Sequence, residues 1–108
     1  MLAQDIAEIE DQADTMGRTL KALGNGKRLV ILCKLMQAGE MNVGSLADSL
    51  RLSQSALSQH LAKMRAEGLV DTRRDSQTIW YRLADPRIET LLGSLHTIYC
   101  SKENNDLC

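Results

Sequence analysis

The chain has no phenylalanine, one tryptophan and two tyrosines among its 108 residues, so its interior must be built from Leu, Ile, Val, Met and Ala. Burial in a domain this small and this poor in aromatics is expected to be shared with a partner. Long apolar runs are missing too. The longest, Leu29 to Cys33, is far below a membrane span, so no membrane association is expected. The acidic N-terminus has no basic segment followed by an apolar one, so no signal peptide is expected and the location should be cytoplasmic. Neither sign of charge dominates: the formal net charge is −1, which argues against a protein that coats nucleic acid indiscriminately.

What charge there is falls unevenly. Residues 1–17 carry Asp5, Glu8, Glu10, Asp11 and Asp14 with no Lys or Arg, whereas residues 18–36 carry Arg18, Lys21, Lys27, Arg28 and Lys34 with no acid. Between residues 51 and 82 six basic side chains face three acidic ones. A local basic surface on a neutral chain is the pattern of a site-specific binder.

The sharpest pattern lies in Ser53 to Leu61. Leu57, Leu61 and Met64 recur at i, i+4 and i+7 and so form one helical stripe. Opposite them stand Ser55, Ser58, Gln59 and Ala62, a face of short donors, acceptors and a methyl with neither bulk nor charge. Such a face suits base edges in a major groove, where an ordinary solvated helix carries more Glu and Lys; a plain polar surface helix is the competing reading. Before it, Val43, Leu46, Ala47 and Leu50 mark a short helix capped by Asn42, and Ser53 is placed to cap the next. The pair, joined by a tight turn, reads as a helix-turn-helix.

Gly68 supplies the position where the second helix stops in a left-handed conformation. Two extended runs follow, Leu69 to Arg73 and Thr78 to Leu83, with Arg74, Asp75, Ser76 and Gln77 as the tip of a hairpin whose turn type no local signal sets. This is a β-wing. Its adjacent Arg73 and Arg74 suit phosphates or a minor groove, or simply serve solubility. The candidate DNA contacts are therefore Gln54, Ser55, Ser58, Gln59, His60 and Lys63 on the helix, and Arg73, Arg74 and Gln77 on the wing.

Both ends of the chain predict amphipathic helices. Ile6, Ile9, Ala13, Met16, Leu20 and Leu23 follow a heptad-like spacing; Asp85 and Pro86 open a helix striped by Ile88, Leu91, Leu92, Leu95, Ile98 and Tyr99. Either stripe can pack on its own domain, but a unit that reads a palindrome works as a pair, so a homodimer through these two helices is expected. An enzyme is not expected, since neither Cys33 nor Cys100 follows a Gly-rich elbow and nothing local orients His60 or His96. Winged helices also serve as protein-interaction modules, but such a module would leave DNA unbound at low salt.

In order and motif content the chain resembles the ArsR/SmtB family of small winged-helix repressors. The likeness runs through Leu23 to Leu29, Val43 to Ala47, Ser53 to Leu61, Gly68-Leu69-Val70 and Trp80-Tyr81-Arg82-Leu83. It implies a mainly α fold, four helices, a β-hairpin wing and a fifth helix, in one dimeric winged helix-turn-helix domain over residues 1–100 followed by a polar tail at 101–108. It also implies an operator in double-stranded DNA, an imperfect inverted repeat. Gly24-Asn25-Gly26 departs from the family, where a proline or acidic residue is frequent, and two glycines there are expected to loosen the joint between the first two helices.

Effector residues separate the branches of that family. Ser45-Leu46-Ala47-Asp48-Ser49 stands where arsenic sensors carry their thiolates, and the last helix has Asp85 but only one histidine, His96, where zinc sensors need several ligands. No metal site and no cofactor is expected. Cys33 and Cys100, together with the Ser53 to Leu61 motif, resemble the SqrR/BigR group of persulfide-responsive repressors. That likeness implies a redox-sensing dithiol that reactive sulfur species bridge, lowering operator affinity; read from the residues alone, Cys33 is a small buried hydrophobe on the stripe of Leu29, Leu32 and Met36. Cys108 has no counterpart in the group.

Overall fold

The computed structural model describes residues 3–100, in the order α1 (Ala3–Leu23), α2 (Gly26–Ala38), β1 (Met41–Asn42), α3 (Val43–Leu50), α4 (Gln54–Ala66), β2 (Val70–Asp75), β3 (Thr78–Leu83) and α5 (Pro86–Tyr99). The tail from 101 to 108, with Cys108, lies outside the described residues.

Short polar side chains start the helices. Asn25 Oδ1 accepts from the Arg28 N–H (3.2 Å), Asn42 Oδ1 from the Ser45 N–H (2.8 Å), Ser53 Oγ from the Ala56 N–H (3.0 Å) and Asp85 Oδ1 from the Arg87 N–H (2.9 Å). Each satisfies a donor that the helix itself leaves open, worth about 1 kcal/mol. α4 ends as its Gly68 predicts: φ there is +78°, the Gly68 N–H donates to the Arg65 carbonyl (3.1 Å) and the Leu69 N–H to the Met64 carbonyl (2.9 Å).

At the joint between α1 and α2 the Gly24 N–H donates to the Lys21 carbonyl (3.3 Å), the Asn25 N–H to the Leu23 carbonyl (2.8 Å), and Arg28 reaches back to the Ala22 carbonyl (3.2 Å). Asn25 between the glycines is the N-cap of α2.

The wing differs from its sequence pattern in two ways. β1 joins it, making a three-stranded antiparallel sheet of order β1-β3-β2 with Met41 opposite Tyr81 and Asn42 opposite Trp80. Two residues are too few to show alternation, so this strand is invisible locally. The hairpin is also longer than the apolar pattern suggests, because Arg74 and Asp75 pair with Ile79 and Thr78 and only Ser76-Gln77 forms the loop. Ser76 has φ +59° and Gln77 does not share the positive φ, the pattern of a II′ turn, which normally takes glycine first.

The core gathers Ile31, Leu32 and Leu35 of α2, Leu46 of α3, Leu57, Leu61 and Met64 of α4, Val70 of β2 and Leu92 of α5, all fully buried. Aliphatic side chains alone fill it, as the composition requires, with Tyr81 packed at its edge. The terminal stripes behave differently. Among the residues of α1 whose burial is described only Ala22 and Leu23 are buried, while Ile6 is 46% exposed and Leu20 61%. On α5, Ile88 and Leu92 enter the core, but Ile98 is 70% exposed and Tyr99 80%.

Candidate nucleic-acid interface and thiol pair

α4 turns Leu57, Leu61 and Met64 into the core, so its other side must face outward. Gln54, Ser55, Ser58, Gln59, Ala62 and Lys63 are exposed there, one contiguous surface of hydroxyls, carboxamides and one ammonium. His60 is half-buried at the margin of that face. The Gln54 carboxamide lies beside the first turn of α3, with Nε2 3.7 Å from where a Cβ on Gly44 would stand, so it seats α4 against α3 at the mouth of the turn. Arg51 closes that turn in a left-handed conformation (φ +58°), its N–H bonded to the α3 carbonyls. At the far end of α4, Arg28 of α2 donates to the Glu67 carboxylate (2.9 Å) and is itself only 14% exposed, which ties the C-cap residue of the helix to the body.

On the wing the register sorts the cations. Val70, buried, shares a face with Thr72 and Arg74; Arg73 stands on the opposite face beside Trp80. Arg74, on β2 two residues before the loop, and Gln77, in the loop, are exposed. Arg73 is not a free tip cation: its Nε donates to both oxygens of Glu40 (3.1 and 2.8 Å), its Nη2 donates to Oε1 (2.6 Å), and the guanidinium lies 5.7 Å from the Trp80 ring centre. Hydrogen bonding from Arg73 holds the Glu40 carboxyl below the usual range, and the same bonds raise the Arg73 guanidinium above its own. Glu40 drew no notice in the sequence, since its partner is 33 residues away.

Cys33 and Cys100 are both present as thiols. Cys33 is buried in α2 within the core that Ile88 and Leu92 of α5 also enter; Cys100, half-buried, ends α5 with its N–H donating to the His96 carbonyl (2.9 Å). Among the described residues no group of three or more His, Cys, Asp or Glu is arranged to hold a metal ion. No described helix is long and apolar enough to cross a membrane.

A capped pair of helices, the second with a polar outer face, backed by a basic β-hairpin, defines a winged helix-turn-helix DNA-binding domain. Residues 25–72 match the family profile described as bacterial regulatory protein, arsR family. The chain is 44% identical over 96 residues to the transcriptional activator HlyU of Vibrio cholerae, covering 89% of this chain and 88% of that protein. The structure of reduced HlyU from Vibrio cholerae superimposes with a TM-score of 0.79 at 45% identity over 87% of this chain and 98% of that one. A biofilm growth-associated repressor of Agrobacterium fabrum is 41% identical over 106 residues, 94% of this chain and 90% of that protein. The transcriptional repressor BigR of Xylella fastidiosa matches with a TM-score of 0.82 at 35% identity, over 94% of this chain and all of that one. This chain belongs to the ArsR family: it is a winged helix-turn-helix transcription regulator and not an enzyme.

Proposed function

We propose that the protein is a homodimeric, cytoplasmic repressor that binds an imperfect inverted repeat in double-stranded DNA and releases it when reactive sulfur species link Cys33 to Cys100. The observation that carries the binding half is the outward face of α4, where Ser55, Ser58 and Gln59 present hydrogen-bonding groups and no bulk. Two such helices related by a twofold enter successive major grooves about one helical turn apart. Pairing is supported by the apolar side chains that α1 and α5 leave uncovered: Ile6, Ile9, Met16 and Leu20 on one, Ile98 and Tyr99 on the other.

The placement of the thiols supports the switch and suggests its order. Cys100 is half-buried and Cys33 buried, so an organic persulfide meets Cys100 first. The Cys100 thiolate takes the outer sulfur of RSSH and expels RSH, and Cys33 then closes the bridge. If the persulfidated Cys100 is attacked at its inner sulfur, a disulfide forms and hydrogen sulfide leaves. With a second persulfide a trisulfide forms: one transferred sulfur is kept, and the other leaves as sulfide, having accepted the two electrons. A hundredfold loss of DNA affinity needs only about 2.7 kcal/mol of coupling, within reach of a cross-link from α2 to the end of α5.

The test is operator binding by reduced, persulfide-treated and zinc-loaded protein, read with mass spectrometry. Persulfide should release DNA and produce a Cys33–Cys100 linkage; Cys33→Ser and Cys100→Ser should each bind DNA and fail to respond, and Cys108→Ser should respond normally. Release that tracks a Cys100–Cys108 link alone, or zinc-driven release with the thiols blocked, would overturn the switch.

A further inference from the structure

The Arg73–Glu40 pair is strange for a wing meant to touch DNA, because it spends a cation on an internal acid. Strand order explains how. β1 and β2 are the two edges of the sheet and β3 lies between them, so Glu40, just before β1, reaches Arg73 only across β3. Trp80 of β3 stands opposite both Asn42 and Arg73, and the guanidinium is drawn inward over its ring. The Arg73 side chain therefore lies back over the sheet, its Nε and Nη2 both given to one carboxylate.

That carboxylate has the shape of a phosphate edge: two anionic oxygens that accept two N–H groups of one guanidinium. The pair is also within reach of solvent, with Arg73 45% and Glu40 29% exposed, and exposed pairs of this kind are weak enough to exchange partners. By strand alternation Asp71, Asp75 and Arg82 share its face, so with Glu40 the acids there outnumber the bases by three to two, and without it they balance.

We propose that Glu40 is an internal stand-in for a DNA phosphate, holding Arg73 in reserve, so that the wing meets duplex with Arg74 alone until a backbone phosphate displaces the carboxylate. Glu40 thereby lowers affinity for DNA of any sequence and leaves discrimination to α4, because phosphate contacts carry no sequence information. The inference rests on the DNA-binding reading above.

The experiment is a salt titration of binding to operator and to random duplex, by anisotropy, for wild type, Glu40→Gln, Arg73→Gln and the double variant. Glu40→Gln should tighten both duplexes about threefold to tenfold at low salt with a slope of log K against log salt close to that of wild type, because the same phosphate contact forms in both complexes, whereas Arg73→Gln should flatten the slope by about 0.9, one phosphate contact. In the Arg73→Gln background the same change should gain little and leave the slope alone. Trp80, the single tryptophan, gives a second readout: its emission should shift on DNA binding by wild type and shift less in Arg73→Gln. Equal gains in both backgrounds would mean that only the field of the acid matters. That result, or an unchanged or weaker Glu40→Gln complex, overturns the inference while the DNA-binding reading stands. A wild type that binds neither duplex sinks both.

Discussion

Gln59 and Arg74 are two exposed side chains of the proposed DNA interface that should differ in what they contribute. Gln59 sits in the middle of the outer face of α4, where a carboxamide can hold an adenine edge with two hydrogen bonds. Arg74, exposed near the end of β2 and engaged in no ion pair among the described residues, is on the proposed reading a backbone contact. Gln59→Ala should therefore relax sequence preference, at roughly 1–3 kcal/mol for a lost base contact, with random DNA bound almost as before. Arg74→Ala should weaken all sequences alike and flatten the salt slope by about one. Competition between operator and random duplex measures both; equal losses on the two DNAs for Gln59→Ala would remove it from the readout.

Among the secondary-structure elements, α5 offers a pH test because its cap is also an ion pair. Asp85 accepts from the Arg87 N–H and from the Arg87 guanidinium (3.2, 3.1 and 2.8 Å), and these bonds, the side-chain ones first, hold its carboxyl below the ordinary range. A folded-state pKa below the unfolded one, about 3.9 for Asp, makes this contribution complete above the unfolded value and lost as pH falls through the folded value. Asp85→Asn keeps a capping oxygen but cannot titrate. Its deficit against wild type should be present at pH 7 and close as pH drops below 4, as read by thermal melts; a deficit that stays constant with pH would show that the charge adds nothing. The starts of α2, α3 and α4 rest on uncharged Asn25, Asn42 and Ser53 and carry no such dependence.

For the molecule as a whole, the question is what covers α1 and the end of α5. Leu20 and Ile98 are exposed in the single chain, so replacing either removes nothing from its core. Leu20→Glu should leave the helical circular dichroism intact, move the protein to monomer in sedimentation, and weaken operator binding a hundredfold or more, about 2.7 kcal/mol, by separating the two recognition helices. A variant that stays dimeric would place the interface elsewhere.

Five helices, the caps Asn42, Ser53 and Asp85, the stop at Gly68 and the polar face of α4 were all readable in the amino-acid order, because each depends on neighbours within a turn or two: a 3.6-residue period, a Ser or Asn three residues before an open N–H, a glycine where φ must be positive. Other features needed the folded chain. The Asn25 cap is equally local, but between two glycines its sequence is also that of a flexible turn. β1 exists only because β3 offers it an edge, and the hairpin extends past its apolar residues because backbone pairing needs no apolar side chain. Arg73 meets Glu40 across 33 residues and Arg28 meets Glu67 across 39, so no local pattern records either contact. The division of the terminal stripes, Leu23, Ile88 and Leu92 inward and Leu20, Ile98 and Tyr99 outward, is likewise tertiary. Periodicity says that a helix has an apolar side, whereas packing decides how much of that side its own chain can cover.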